Sequence, residues 1–298
     1  MYINTKITNI QFFLGYFMKS SSQWRYVVIG YPVSHSRSPK MQNAAFEFYN
    51  LGSLYGIMEV VPIELPQFVS WARENLDGVN LTIPHKTEII PLIDEIDEAA
   101  KIAQSVNTLV IKDKKIKGYS TDGFGLEFAL KEEFQLDIKG KCFCFAGCGG
   151  VVNATAFYLA QQGAKEIRIL NRTVQKAESL LSRLIASFPN VKVECTTFEE
   201  SNKTREYLEK SDVLIQATSL GLKEEDPAPF DLTSLENLNL AVYDTIYKET
   251  KLIKAAKAFG LKCANGKEML IGQGAKSFEL WTNKKAPIAE MRQGFELY

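Results

Sequence analysis

Short apolar runs typical of buried strands alternate with amphipathic segments typical of helices along most of this 298-residue chain. Alternation of this kind predicts parallel sheets with helices packed on both faces. One series begins near Arg25 and a second begins after Gly140. Because a single core rarely serves so long a chain, we expect two α/β domains, the second of them doubly wound.

The predicted elements divide the chain into four parts. Strands are predicted at 25–29, 55–60, 79–81, 142–145, 167–170, 191–194, 213–217 and 240–243, and helices at 38–49, 65–75, 152–162, 176–187 and 267–282. The last helix is expected to pack back on the first domain. The expected parts are an N-terminal extension at 1–23, a first domain at 24–121, a second domain at 122–265 and C-terminal helices at 266–298.

Charge and length exclude two classes of partner. Lys plus Arg equals Asp plus Glu at 35 each, so no net field draws the chain to nucleic acid or to an anionic membrane. The apolar segment Ile7 to Phe17 is about half as long as a bilayer-spanning helix. We interpret it as part of a loosely held extension, with Met18 as a second candidate for the translation start.

The five cysteines are odd in number and irregularly spaced, which favours a reducing, cytosolic compartment over a disulfide framework. Cys142, Cys144 and Cys148 lie close together in sequence, so a metal site is one interpretation. A closed zinc site needs four ligands, and the two histidines, His35 and His85, are remote in sequence. Small buried apolar side chains are therefore the favoured interpretation.

The segment from Phe143 to Ala154 passes from a buried strand through glycines into a helix. Gly147 permits a tight turn, Gly149 allows a pyrophosphate to approach the backbone, and the N-terminus of the helix that follows Gly150 supplies free N–H groups. The position of these glycines between a strand and a helix predicts a Rossmann-type dinucleotide-binding domain.

The tip of the next strand indicates which dinucleotide is bound. It contains Asn171, Arg172 and Thr173, with Lys176 one turn later and no acidic residue. An acidic side chain at this position binds the ribose 2′-hydroxyl of NAD, whereas arginine accommodates the 2′-phosphate of NADP. NADP is therefore the predicted cofactor; the alternative is a simple helix cap at Thr173 with solvated basic neighbours.

Three polar segments of the first half are candidates for chemistry. Ser34 to Pro39 leads into a helix whose N-terminus suits a carboxylate, although plain helix capping is the alternative. Lys86 follows a buried strand, at the edge where ligands bind in open α/β sheets. Asp122 lies between the two predicted domains and is either a helix cap or a carboxylate facing the cleft.

Taken together, these motifs resemble the shikimate dehydrogenase family, which includes quinate/shikimate dehydrogenases. The likeness extends from about Tyr26 to Trp281 and rests on separate motifs at 34–39, 80–86, 107, 121–123, 147–150, 171–173, 217–221 and 269–275. The resemblance implies reversible, NADPH-dependent reduction of 3-dehydroshikimate to shikimate, on the route to aromatic amino acids. It also implies a small-molecule substrate; a homodimer is left open.

The resemblance assigns a role to each motif. It implies that Lys86 and Asp122 form the catalytic pair. The expected substrate-binding residues are Ser36, Ser38, Asn80, Thr82, Asn107, Tyr247 and Gln273, with the serines and Tyr247 on the carboxylate. The expected cofactor-binding residues are Gly147, Gly149, Gly150, Asn171, Arg172, Thr173, Lys176, Thr218 and Gly266.

Three residues depart from the family pattern: Ser120 and Gln216 replace asparagine, and Val151 replaces alanine after the glycine turn. We expect the larger Val151 side chain to affect how closely the helix approaches the pyrophosphate. Two alternative functions remain open at this point. One is a quinate/shikimate dehydrogenase of broader specificity, and the other, disfavoured by Lys86 and Asp122, is a regulator that binds nicotinamide dinucleotide without catalysis.

Overall fold

The computed structural model of the protein describes residues 24–297. The predicted extension, its apolar segment and the candidate start at Met18 lie outside the described residues. Across the described part of the chain, no helix combines the length and the apolar character needed to span a bilayer.

The first sheet has six strands in the order β2-β1-β3-β5-β6-β4. Its strands are β1 (Trp24–Gly30), β2 (Leu54–Glu59), β3 (Gly78–Leu81), β4 (Glu95–Ile96), β5 (Thr108–Lys112) and β6 (Lys115–Tyr119). The first three are mutually parallel, and β1 is buried on both faces from Tyr26 to Ile29. Strands covered on both faces have continuous apolar sequences, which is why these three were predictable.

The first sheet differs from the wholly parallel arrangement that the alternation predicts. Strand β5 runs antiparallel to both β3 and β6. The connection between β5 and β6 is two residues, Asp113 and Lys114, with φ of 50° and 62°. Two consecutive positive φ values match the twist of a tight hairpin. Because the turn and its flanking residues are charged, the sequence pattern does not indicate this hairpin, and no strand is predicted between 82 and 141.

The second sheet is wholly parallel, in the order β12-β11-β10-β7-β8-β9. Its strands are β7 (Cys142–Ala146), β8 (Glu166–Leu170), β9 (Lys192–Thr196), β10 (Val213–Gln216), β11 (Ala241–Asp244) and β12 (Cys263–Ala264). Numbered within the domain, this is the 3-2-1-4-5-6 order of a dinucleotide-binding fold, in which ligands bind where the order reverses, between β7 and β10. The predicted α/β fold class is confirmed.

The α-helices are α1 (Ser38–Phe48), α2 (Leu65–Asn75), α3 (His85–Glu88), α4 (Glu98–Ala103), α5 (Asp122–Phe134), α6 (Gly150–Gln161), α7 (Val174–Ser187), α8 (Ser201–Glu209), α9 (Lys251–Ala258), α10 (Lys267–Thr282) and α11 (Ile288–Glu296). In α10, Ile271 and Phe278 are buried in the apolar cluster that also holds Val28 of β1 and Met41 of α1. The C-terminal helices thus pack on the first sheet, while the predicted domain boundaries stay a prediction.

Candidate active site

A cavity of about 240 Å³ lies between the carboxyl end of β3 on one side and Val151 of α6 and the turn after β11 on the other. The cavity is lined by all nine residues predicted to be catalytic or substrate-binding: Ser36, Ser38, Asn80, Thr82, Lys86, Asn107, Asp122, Tyr247 and Gln273. These residues come from six separate segments of the chain. Their roles stay predictions, but the fold brings them together.

Lys86 and Asp122 form an ion pair at one wall of this cavity. Nζ of Lys86 lies 2.5 Å from Oδ2 of Asp122, and the two side chains are only 13% and 7% exposed. Helix α3 presents Lys86 just beyond β3, and Asp122 is the first residue of α5. The other carboxylate oxygen, Oδ1, accepts a hydrogen bond of 2.8 Å from Nδ2 of Asn107. The lysine ammonium is thereby held in one direction.

His85, next to Lys86 in sequence, anchors α3 to the first sheet. Its ring is fully buried, and Nε2 donates to the carbonyl oxygen of Val60 at 2.7 Å. Burial lowers the pKa of His85, although the carbonyl of Val60 opposes that effect. Its Nδ1 has no hydrogen-bond partner among the described residues, which fits a neutral ring. Since a charged imidazole would be costly there, His85 holds α3 against the first sheet and does not carry a proton.

Asn80 and Asn107 are held by neighbouring protein groups. Nδ2 of Asn80 donates to Oγ1 of Thr108 and to Oγ of Ser277, both at 3.0 Å, and its Oδ1 accepts from the hydroxyl of Tyr55 at 2.7 Å. Oδ1 of Asn107 accepts from the backbone N–H of Thr121 at 2.8 Å. Both amides therefore serve first to hold the cavity wall, and their predicted direct bonds to substrate remain predictions.

Sequence reasoning missed the residues that complete this network, namely Thr108, Thr121, Ser277 and Tyr55. Ser277 lies four residues after Gln273 on the predicted final helix, and its hydroxyl donates to the carbonyl oxygen of Gln273 at 2.9 Å. The i,i+4 spacing places both on one helix face, so it was the one available signal.

Ser36 and Ser38 lie at the start of α1. The N–H of Ser38 donates to Oγ of Ser36 at 3.3 Å, and Pro39 occupies the first turn. Ser36 therefore makes one local capping bond. Arg37, the N-cap residue, makes no side-chain cap. Both hydroxyls still line the cavity, so the carboxylate interpretation and the capping interpretation are compatible.

The glycine turn has an open backbone. Gly147 has φ of +108°, and a Cβ there would lie 2.9 Å from Cγ2 of Thr218. Around Gly149 and Gly150, by contrast, an added Cβ would meet no heavy atom within 4 Å. Helix α6 begins at Gly150 without a side-chain cap. This arrangement leaves free N–H groups and unfilled space, which is what a dinucleotide pyrophosphate requires.

The segment after β8 lies against this turn, since Sγ of Cys148 donates to the carbonyl oxygen of Lys176 at 3.5 Å. Arg172, Thr173 and Lys176 have exposed side chains, and Nδ2 of Asn171 donates to the carbonyl oxygen of Thr173 at 2.7 Å. Thr173 is the N-cap residue of α7, but its side chain makes no cap bond. Thr173 therefore stands at the helix start with exposed basic neighbours but adds no capping bond, and both the 2′-phosphate interpretation and the helix-start interpretation stay predictions.

The remaining predicted position, Gly266, lines the cavity and lies directly against the backbone of Thr245. A Cβ on Gly266 would come within 2.1 Å of the carbonyl oxygen of Thr245. Only glycine permits this approach, which packs the start of α10 against the turn that carries Tyr247. The structure thus gives Gly266 a packing function, and its cofactor contact stays a prediction.

The three departures from the family pattern have different surroundings. Val151 lines the cavity and also packs against the apolar core of the second half. Nε2 of Gln216 donates to the carbonyl oxygen of Leu220 at 2.9 Å, and its Oε1 accepts from the N–H of Thr218, which braces that turn. Oγ of Ser120 is buried without a partner among the described residues.

All five cysteines are free thiols. Cys144 is fully buried in β7, where burial raises its pKa to about 12, while Cys142 and Cys148 are half-buried. Residues 24–297 contain no group of three or more His, Cys, Asp or Glu side chains arranged to hold a metal ion.

Three family models match successive parts of the chain. The shikimate dehydrogenase substrate-binding domain matches residues 28–109, shikimate/quinate 5-dehydrogenase matches residues 129–222, and the shikimate 5'-dehydrogenase C-terminal domain matches residues 266–293. A curated shikimate dehydrogenase (NADP(+)) of Alkaliphilus metalliredigens is 40% identical over 271 residues, which are 89% of this chain and 94% of the relative.

Solved structures of shikimate dehydrogenases are also similar to this chain. Shikimate 5-dehydrogenase of Listeria monocytogenes, in complex with shikimate and NAD, is 33% identical with a TM-score of 0.84, covering 91% of this chain and 96% of that one. The enzyme of Thermus thermophilus, in complex with NADP(H) and shikimate, is 30% identical with a TM-score of 0.80, covering 91% and 98%. The resemblance inferred from the motifs is thus confirmed, and the chain belongs to the shikimate dehydrogenase family.

Proposed function

We propose that this protein is an NADP-dependent shikimate dehydrogenase that interconverts shikimate and 3-dehydroshikimate. The observation that carries the proposal is the buried ion pair of Lys86 and Asp122, 2.5 Å long, in a cavity that extends to Val151, the residue after the glycine turn. The names of the relatives support the same substrate and cofactor.

Lys86 is proposed to move the proton of the reaction. Bound NADPH supplies the hydride to the carbonyl carbon. The ammonium of Lys86 donates a proton to the substrate oxygen and stabilises the negative charge that develops there. Asp122 orients the ammonium, and Asn107 in turn orients Asp122 through its 2.8 Å hydrogen bond. In the oxidative direction the proton returns to Lys86.

Substrate orientation is proposed to depend on the two ends of the cavity. Ser36, Ser38 and Tyr247 would hold the carboxylate through hydroxyl groups. Burial raises the pKa of Tyr247, although Arg37 nearby opposes that effect, so the phenol stays a hydrogen-bond donor at neutral pH. Thr82 and Gln273 would bind ring hydroxyls beside Lys86. Asn80 and Asn107 would add contacts where their own hydrogen bonds allow.

The residues present fit a bound NADP. Gly149 and Gly150 leave space for the pyrophosphate, and Gly147 brings the turn close to Thr218. The exposed Arg172 offers a planar guanidinium to the 2′-phosphate, and Lys176 adds a second positive charge. Asn171 and Thr173 shape this turn, and Gly266 would lie at the nicotinamide end of the cleft.

The proposal extends to cellular context. A cytosolic location agrees with five free thiols, which a reducing compartment maintains. The products would enter the synthesis of aromatic amino acids. A homodimer is the assembly we propose to test, by light scattering during size-exclusion chromatography of the full chain.

The deciding experiment is an assay of the purified full chain with shikimate and NADP, monitoring NADPH formation. Parallel assays contain quinate in place of shikimate, and NAD in place of NADP. We expect shikimate with NADP to give the highest kcat/KM. Faster turnover of quinate would favour the enzyme of broader specificity, and no turnover with any pair would favour the non-catalytic regulator.

A further inference from the structure

Tyr247 is supplied to the substrate cavity by the second half of the chain, on the turn after β11. Its backbone is well fixed, because Asp244 accepts hydrogen bonds from the N–H of Ile246 at 3.0 Å and from the hydroxyl of Thr250 at 2.6 Å. The hydroxyl of Tyr247 has no hydrogen-bond partner among the described residues. The turn thus fixes the backbone position of Tyr247 but not the orientation of its ring.

The ring direction is set by Phe295 of the C-terminal helix α11. The two rings pack edge to face, with centroids 5.9 Å apart and planes at 86°. Phe295 is 4% exposed. Edge-to-face pairs have a preferred geometry, so this contact restricts the rotation of the tyrosine ring.

Phe295 also contacts the other side of the part of the cavity that is proposed to hold the substrate carboxylate. The guanidinium of Arg37 lies over its ring, 5.0 Å from the centroid, and donates to its carbonyl oxygen at 3.2 Å. Arg37 separates Ser36 from Ser38. Phe295 therefore contacts the serine turn of the first half and the tyrosine of the second half at the same time.

We infer that Phe295 is a positioning residue that aligns the hydroxyl of Tyr247 with Ser36 and Ser38 on the substrate carboxylate. The inference rests on the proposed function. The C-terminal helix is then a part of the substrate site. Phe295 itself lies beyond residue 293, where the last family match ends. The ring of Phe295 contacts Tyr247, Arg37 and Lys267, none of which is Lys86 or part of the glycine turn, so its loss should affect substrate affinity rather than cofactor affinity or proton transfer.

The main test substitutes Phe295→Leu, which keeps an apolar side chain but removes the ring. We expect the KM for shikimate to rise about three- to tenfold, with the KM for NADP and kcat unchanged. In a Tyr247→Phe background the same substitution should have no further effect on the KM for shikimate, because no hydroxyl remains to be aligned.

The matched control is Met291→Ala in the same helix. Met291 is fully buried in the apolar cluster with Val28 and Met41, a cluster that does not include Tyr247. This control should lower the melting temperature but leave the KM for shikimate unchanged. A purely structural role for α11 would instead make the two substitutions raise KM together.

The outcomes separate the two proposals. Equal rises in KM from Phe295→Leu in the wild-type and Tyr247→Phe backgrounds, or no rise at all, would overturn the positioning role. If the wild type does not turn over shikimate, the proposed function is wrong. A crystal structure of the Phe295→Leu variant then decides the positioning role alone: a rotated Tyr247 ring supports it, and an unchanged ring overturns it.

Discussion

The two walls of the cleft use opposite means to prepare for a ligand. On the substrate wall, polar side chains such as Asn80, Asn107 and Asp122 are buried and bonded to one another. On the cofactor wall, Gly149 and Gly150 have no side chains and leave an open backbone, while the charged Arg172 is exposed at the rim. One wall is therefore preorganised by hydrogen bonds before binding, whereas the other offers an open backbone and exposed charged side chains.

This difference predicts how substitutions act. A preorganised network holds the reacting groups near productive geometry, so its disruption should reduce turnover. Side chains that become ordered only on binding cost conformational entropy, so their removal should change affinity and leave turnover intact. Each prediction below tests this division between turnover and affinity.

The largest effect is expected for Lys86→Ala. Removing the group that transfers the proton should lower kcat by about 10² to 10⁴, with little change in the KM for shikimate or NADP. Steady-state kinetics in both directions would measure this. Lys101→Ala, an exposed lysine of α4, is the control and should behave as wild type. Turnover near the wild-type rate in Lys86→Ala would contradict the proton-transfer role.

The next effect is expected for Gly149→Val on the cofactor wall. Gly149 has φ of −95°, and nothing lies within 4 Å of an added Cβ, so the fold should tolerate valine. The side chain would occupy the pyrophosphate space, and we expect the KM for NADP to rise about 10- to 100-fold.

Three measurements on the Gly149 variants check this interpretation. The melting temperature and the KM for shikimate should stay at their wild-type values. Gly149→Ala should give a smaller rise in the KM for NADP than Gly149→Val. A fall in stability without a change in the KM for NADP would show that the space is structural and not a ligand site.

The sequence predicted the strands that are buried on both faces, because their apolar runs are continuous and bounded by turns. It missed α5, whose start, Asp122 to Gly125, resembles a loop. Those glycines permit close packing instead: a Cβ on Gly123 would lie 2.3 Å from the Tyr158 side chain, and one on Gly125 would lie 2.6 Å from the carbonyl oxygen of Met269. Such contacts are tertiary and leave no local signal.

In the site, too, local sequence signals were predictable and tertiary contacts were not. The motifs and the family resemblance together predicted nine residues that the fold brings to one cavity. The sequence could not predict that Tyr55 and Ser277 already occupy the amide of Asn80, since these partners lie 25 and 197 residues away. Hydrogen-bond satisfaction depends on contacts between distant segments, so local patterns identify the groups but not their partners.

A smaller effect is expected for Arg172→Ala. Losing a charge-assisted contact to the 2′-phosphate should raise the KM for NADP about tenfold and leave the KM for NAD nearly unchanged. Comparing kcat/KM for the two cofactors measures this selectivity. Lys176→Ala should reduce it less, because an ammonium makes no bidentate contact. Equal losses for NADP and NAD would argue against a 2′-phosphate site.

The smallest effect is expected for Asp244, a buried carboxylate that fixes the turn carrying Tyr247. Burial raises the pKa of Asp244 to about 6, against 3.8 for the exposed group, although its bonds to Thr250 and Ile246 oppose that effect. The folded protein therefore binds this proton more tightly than the unfolded chain. As pH falls from 7 to 5, Asp244 should add about 1 kcal/mol to the free energy of unfolding.

Asp244→Asn removes this titration. Urea unfolding at pH 7 and pH 5 would measure the free energy of unfolding of both proteins, and the difference between wild type and variant should shift by about 1 kcal/mol in favour of wild type at pH 5. The control is Asp231→Asn, at an exposed residue that caps a short 3₁₀ turn. The difference in unfolding free energy between wild type and this variant should not shift in favour of wild type at pH 5. If the Asp244 difference were the same at both pH values, the pKa of this carboxyl group would be the same in the folded and the unfolded protein, and the hydrogen bonds from Ile246 and Thr250 would fully offset the effect of its burial.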